Sequence, residues 1–323
     1  MTPGTCDLAT YNTIAVEISE AVTRLTVAVA TGERLRILQR RWIAPAEPAT
    51  CVSEITQLVS QLRRDGTAAT YLKSPIVVAV WGTLDATSTK IHRIPGANVW
   101  TDFPLARAIE QTLGTKVKLV RAQDAAAIAE VTLGPIDGRG RVLYVYGGRT
   151  LVTSCVHDGK ICSDSFDPDA LAHTPVSNSS LKCGCGAYGH LTTVASAHSI
   201  SRALIGLASN IPQSLDRLLN CTKGRAESVT IKQVFALAKS GDDAASAIVR
   251  QAIASLAEGL SAVVQNCEFD LIVIGGALGQ GGDALVGGLG QRLLEVNGVS
   301  PRIVVASRGP NAVLEGALAL GHA

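Results

Sequence analysis

Residues 13–42 read TIAVEISEAVTRLTVAVATGERLRILQRRW. Apolar and polar residues alternate from Thr13 to Ala30, with Ala15, Ile18, Leu25, Val27 and Val29 in the apolar set. A turn at Thr31-Gly32-Glu33 follows, and the pattern resumes from Leu35 to Trp42, which predicts a β-hairpin. The same opening returns at Arg141–Tyr146 and Leu151–His157, ending in the turn His157-Asp158-Gly159-Lys160. Two copies of one strand-turn-strand opening in a single chain point to duplicated halves.

Between and after the two openings, strands and helices alternate. Cys51–Arg64 carries apolar residues at 52, 55, 58, 59 and 62, the period of a helix lying on a sheet, and Pro75 leads into a buried strand from Ile76 to Trp81. A helix over Leu105–Leu113, a strand over Lys116–Val120 and an alanine-rich helix over Asp124–Val131 come next. The second half continues with helices over Thr193–Ala208, Ile231–Ala238 and Asp242–Cys267, and a buried strand at Asp270–Gly275. A helix over Asp283–Leu294, a strand over Arg302–Ala306 and a closing helix over Asn311–Leu320 complete it. This alternation predicts two α/β domains. No low-complexity linker separates them, so packed lobes around a cleft are expected rather than a flexible tether.

The chain has 323 residues, of which 47% are apolar, enough for about two domains with sizeable cores. With 29 basic and 27 acidic residues and no basic run longer than the pairs Arg40-Arg41 and Arg63-Arg64, nothing advertises nucleic acid. The first residues have no basic segment followed by an apolar one, and no uninterrupted apolar stretch is long enough to span a bilayer. A cytoplasmic protein without membrane contact is the expectation. The eight cysteines, at 6, 51, 155, 162, 183, 185, 221 and 267, are scattered, which suits a reducing compartment.

Only Cys183 and Cys185 have a spacing that implies chemistry. From His173 to His190 the chain holds two cysteines and two histidines, a complete tetrahedral set for zinc with no position left for a catalytic water. Such a site is structural. Gly184 and Gly186 fit a tight knuckle that needs positive φ. Chance proximity of four such residues in one loop is the alternative, because Cys-x-Cys is a weaker signal than paired Cys-x2-Cys motifs.

Four segments carry a resemblance to a known family: Ile94-Pro-Gly-Ala-Asn-Val-Trp100, Gln123-Asp124-Ala125-Ala126, the stretch His173–His190, and Asp270-Leu-Ile-Val-Ile-Gly-Gly-Ala277. With Ser307-Arg308-Gly309 and Glu315-Gly316-Ala317 at the end, the sequence resembles the ROK group of actin-like sugar kinases over nearly its whole length. The resemblance implies two actin-like, ribonuclease H-like ATPase lobes, residues 12–121 with 311–323 and residues 122–310. It further implies phosphoryl transfer from Mg-ATP to a hexose, amino sugar or cyclitol. Asp124 matches the family's catalytic base, for which an ordinary helix-capping carboxylate is the alternative on spacing alone. Asn98, Gln123 and His173 match sugar-contacting positions, and Gly275 and Gly276 match the adenine side, although any tight strand-to-helix turn also wants glycines. In the family, zinc is held by one His and three Cys. Here His173, Cys183 and Cys185 fall in place and His190 stands at the third cysteine, a competent substitute. Homodimers or homotetramers are implied as well.

The chain departs from the pattern at its phosphate loops. The family's Asp-x-Gly-Gly-Thr-Lys aligns with Glu17-Ile18-Ser19-Glu20-Ala21-Val22. Both glycines are gone, and Glu20 puts a negative charge where anionic oxygens would come, a conflict worth on the order of several kcal/mol in a partly desolvated site. Glu17 remains as a potential Mg²⁺ ligand. The second loop keeps Gly147 and Gly148 and adds Arg149, which either pairs with a phosphate or neutralises Glu20 or Glu17. Sugar contacts are thinned too: Gln123 replaces Asn, while Ala170 and Thr192 replace glutamates, each loss worth roughly 1–3 kcal/mol of charge-assisted bonding. Asp169, beside Ala170, is a possible substitute. Two readings follow: a ROK-type sugar kinase of weak or lost activity, and a catalytically inactive pseudokinase serving as sugar sensor or partner. The family's repressors carry an N-terminal winged helix, and with about a dozen residues before the first strand no such module is expected here.

Overall fold

The computed structural model describes residues 11–31, 33–64, 74–136, 138–162, 167, 169–177, 179–298 and 300–322. Cys6 and the turn residue Gly32 lie outside them. The chain divides into two compact units. One takes the described residues up to Gly138 and those from Ser307 onward, and the other spans residues 139–306 apart from the hairpin tip Gly159–Ile161. Residues 122–138, expected in the second lobe, thus group with the first.

In the first unit, β1 (Ile14–Ile18) is buried at every position and lies between an antiparallel and a parallel neighbour. A central strand covered on both faces has no solvent side to alternate toward, which explains its run of apolar residues. β2 (Arg24–Thr31) and β3 (Arg34–Arg41) continue the meander, and β4 (Ile76–Val80) and β7 (Val117–Arg121) extend it in parallel, giving the order β3-β2-β1-β4-β7. Between them β5 (Thr83–Leu84) and β6 (Ile91–Arg93) pair as a short ribbon that periodicity did not reveal. The first strand expected over 13–30 is in fact two, broken by a turn at Ser19–Thr23 that a simple alternation count runs through. α1 (Pro48–Arg64) turns Cys51, Ile55, Leu58, Val59 and Leu62 inward, and α2 (Leu105–Leu113) ends on Gly114 in the left-handed conformation.

α3 (Ala122–Thr132) packs against the C-terminal helix Ala312–His322, and this pair explains the alanines of α3. A Cβ on Gly316 would lie 1.7 Å from the Ala125 carbonyl oxygen, so the two helix backbones all but touch. The fully buried Glu130 carboxylate accepts from Ser307 N, Ser307 Oγ and Arg308 N, each at 2.8 Å. Arg308 in turn donates through Nε to Glu315 at 2.7 Å and through a terminal nitrogen to the Leu133 carbonyl at 3.0 Å.

The second unit repeats the plan. β8 (Arg141–Gly147), β9 (Leu151–His157), β10 (Lys160–Ile161), β11 (Leu271–Gly276) and β12 (Arg302–Val305) stand in the order β10-β9-β8-β11-β12, again an antiparallel meander joined to parallel strands. Its helices are α4 (Ala170–His173), α5 (Thr192–Ala195), α6 (Ala197–Ala208), α7 (Pro212–Cys221), α8 (Ile231–Lys239), α9 (Asp243–Asn266) and α10 (Gly282–Asn297). The helix expected over 193–208 is split at Ser196, whose hydroxyl caps α6 by accepting from Ser199 N. α7 was not expected at all. α9 includes a stretch, Asp243–Gln265, long and apolar enough to cross a bilayer, yet Ala252, Leu256, Ala257 and Leu260 on it belong to this unit's core. The helix Ala312–His322 is α11.

Substituting Gly316→Ala should cost about 3 kcal/mol, because the new methyl meets main chain that cannot move aside. Urea unfolding of the variant against the parent measures it.

Candidate functional site

Ser19–Thr23 joins β1 to β2, within the segment expected to be the first phosphate loop. Two of its amides are committed: Ser19 N donates to the Arg24 carbonyl at 2.9 Å and Val22 N to the Ser19 carbonyl at 3.0 Å, while Arg24 N, just beyond the loop, donates to Ser19 Oγ at 2.9 Å. The Val22 carbonyl accepts from Ala46 N at 3.0 Å. Ala21 and Val22 stand at φ 56° and 53°, the left-handed region that suits glycine and strains an alanine and still more a β-branched valine. The loop therefore keeps a backbone shape suited to glycine two positions beyond the aligned glycine sites, while presenting side chains.

Glu17 precedes this loop and is buried. Its Oε1 accepts from Trp81 Nε1 at 3.0 Å and from an Arg24 terminal nitrogen at 3.3 Å. These bonds fit a structural carboxylate, and the Ser19 and Val22 amides, already bonded, are not offered to a phosphate. Neither Trp81 nor Arg24 stood out in the sequence, since they meet Glu17 only across neighbouring strands.

Asp124 sits in the first turn of α3 as its third residue, where the positive end of the helix dipole favours a carboxylate. It is not the cap; that position belongs to Arg121, the last residue of β7. Arg121 grips Asp124 in a fork, Nε to Oδ2 at 2.6 Å and a terminal nitrogen to Oδ1 at 3.2 Å, with the carboxylate nearly buried. The sequence signal for this pair was present, an Arg three residues before an Asp at a strand-to-helix junction, but carried no weight alone. Gln123 beside it is buried. Asn98 is exposed at the start of a short turn, Asn98–Trp100, anchored by Trp100, whose Nε1 donates to the Ala46 carbonyl at 2.8 Å.

In the second unit Gly147 and Gly276 are paired directly across β8 and β11, which brings the second loop and the adenine-side glycines together. Gly276 has φ 69°, and added Cβ atoms on Gly275 and Gly276 would strike Tyr144 Oη at 2.1 Å and the Tyr146 ring at 2.7 Å. Packing thus accounts for both glycines. The loop Gly147–Thr150 is tied down by Gly148 N to the Thr150 carbonyl, His198 N to the Gly148 carbonyl, and Leu151 N to Thr192 Oγ1 at 3.1 Å. Thr192, where the family has glutamate, has become a brace for this loop. Arg149 is exposed, and burial followed by the charges of Arg149 and Arg202 holds His198 below the ordinary imidazole value.

The knuckle brings all four expected ligands together. One ligand atom from each of His173, Cys183, Cys185 and His190 lies within 4.8 Å of every other. His173 Nδ1 and His190 Nδ1 are 3.0 Å apart, Cys185 Sγ and His190 Nδ1 3.3 Å, and Cys183 Sγ and His173 Nδ1 3.9 Å. Tetrahedral zinc with Zn–N of about 2.0 Å and Zn–S of about 2.3 Å separates its ligand atoms by roughly 3.3–3.8 Å, so the donor set fits. Backbone bridges Pro175 to His190 and Lys182 to Tyr188 shape the loop. Gly186 has φ 99°, as expected, but Gly184 does not take positive φ; the second left-handed position is Gly189, at 72°, where a Cβ would meet the Ser179 carbonyl at 2.8 Å.

Two outcomes follow. Ala21→Gly should stabilise the chain by about 1 kcal/mol through relief of the left-handed strain, read as a raised urea midpoint. Chelation, or Cys183→Ser with Cys185→Ser, should lower the melting temperature, and freshly purified protein should contain about one zinc per chain by elemental analysis.

Comparison with known proteins agrees with this architecture. Glucokinase of Thermotoga maritima is 23% identical over 283 residues, 87% of each chain. N-acetylmannosamine kinase of Salmonella arizonae is 27% identical over 271 residues, 83% of each. Among solved structures, a ROK family glucokinase from Streptomyces griseus, crystallised with glucose and AMPPNP, superposes with a TM-score of 0.79 at 22% identity, covering 95% of this chain and 98% of that one. The family model described as ROK family matches residues 13–323, and the chain belongs to the ROK family.

Proposed function

We propose that this chain is a catalytically inactive sugar-kinase homologue that binds a hexose, amino sugar or cyclitol without transferring phosphoryl from ATP to it. The observation that carries the reading is the Ser19–Thr23 turn, in which Ser19 and Val22 amides are spent on the loop itself and Glu20 stands among them. Phosphoryl transfer depends on amides, dipoles and cations aimed at the phosphates, and a loop that bonds its Ser19 and Val22 amides to its own chain offers fewer of the first. Asn98 and Gln123 are the candidate hydroxyl partners in the first unit. His173 turns Nδ1 to the knuckle, which leaves Nε2 as the nitrogen for a sugar hydroxyl. Zinc held by His173, Cys183, Cys185 and His190 would fix that imidazole in place. The chain would act as sugar sensor or as partner of an active kinase, as a homodimer or homotetramer.

An active kinase is the second reading, favoured by Asp124 at the first turn of α3, where the family's base belongs. In that reading Arg121 orients the carboxylate, and ATP and Mg²⁺ bind despite the loop. The two are separated by incubating the protein with Mg-ATP and a panel of sugars. The expected result is no ADP release above background and no rise in melting temperature with Mg-ATP, together with a rise of a few degrees with the cognate sugar. Turnover that disappears in Asp124→Asn would establish the kinase instead.

A further inference from the structure

Spacing gives Cys155, Cys162 and Cys267 no relation, but the fold gathers them. Cys155 is buried in the core of the second unit, and Cys162 and Cys267 are half-buried against the same core. The turn joining β9 to β10 has Asp158 at φ 48° and Gly159 at φ 77°, the two consecutive left-handed residues of a two-residue hairpin. That turn sets Cys162 opposite Cys155, and Cys162 N donates to the Cys155 carbonyl at 2.8 Å. Directly opposed residues of this kind have Cα atoms about 5.5 Å apart and side chains on one face, inside the roughly 4.4–6.8 Å that a disulfide spans.

Burial, then a hydrogen bond to Cys162 and the proximity of Cys162 and Cys267, pushes the Cys155 thiol up to about 12. At neutral pH Cys155 is therefore a protonated thiol sheltered from direct attack by an oxidant. The more accessible Cys162 is the sulfur that a small oxidant reaches first.

We propose that Cys155 and Cys162 form a peroxide-responsive modification site, closing to a disulfide across the β9–β10 hairpin. The Cys162 thiol releases its proton and its sulfur attacks hydrogen peroxide; the O–O bond breaks, a sulfenic acid forms on Cys162, and the departing hydroxide takes up the released proton and leaves as water. Cys155 then gives up its proton and attacks the Cys162 sulfur; the S–O bond breaks, the S–S bond forms, and a second water departs. Two sulfurs are oxidised and one peroxide is reduced. β9 starts directly after the loop Gly147–Thr150, so the cross-link would stiffen the strand that carries that loop.

The test is peptide mapping of the purified full chain after hydrogen peroxide treatment and alkylation, without reduction. The expected product is a Cys155–Cys162 linked peptide, two hydrogens lighter than its parts, formed by more than half the chains and reversed by dithiothreitol. It should vanish in Cys162→Ser and persist in Cys267→Ser. Recovery of both cysteines alkylated while other thiols oxidise, conversion of Cys162 to sulfinic acid without a link, or a link from Cys162 to Cys267 would each overturn the proposal. The readout is taken on the unsubstituted chain and so survives any folding defect of a variant.

Discussion

The backbone contact between α3 and α11 is the constraint from which most of the first unit follows. Gly316 lies so close to the Ala125 carbonyl that no side chain fits between them, and this explains both the alanines of α3 and the missing Cβ opposite. The approach is held from the other end of α3 by Glu130, whose carboxylate takes three donors from the segment leading into α11. A buried carboxylate without those donors would cost several kcal/mol, so the segment and the helix are fixed together or not at all. The same helix presents Asp124 in its first turn, so packing places the backbone of the candidate base and the Arg121 fork holds its carboxylate.

In each unit, polar groups at the expected site positions are bonded within the chain. Arg121 holds Asp124, Trp81 and Arg24 hold Glu17, Thr192 braces the second loop, and the first loop bonds to itself. Each of these bonds satisfies a polar group within its own unit. Ala21 and Val22 hold a left-handed backbone shape that glycine would adopt without strain.

Much of this was legible in advance. The two strand-turn-strand openings, the buried strands at 76 and 270 and the long helix after 242 all reached the structure within a few residues, because a buried face imposes its period on any sequence that must cover it. The break at Ser19–Thr23 was not read from periodicity, although the resemblance had set a phosphate loop over Glu17–Val22. α7 was missed because a Pro at its first position reads as a loop signal until the helix behind it is known.

The sequence by itself determined the family, the duplicated α/β plan and the four knuckle residues, because these depend on residue type and on spacings short enough to survive as patterns. Tertiary structure alone decided that Glu17 meets Trp81, that Gly275 and Gly276 are spent on Tyr144 and Tyr146, and that Cys155 faces Cys162. Those pairings depend on strand register and on which elements become neighbours. Hydrogen bonds and van der Waals contacts act over a few ångströms of space, whatever the distance along the chain.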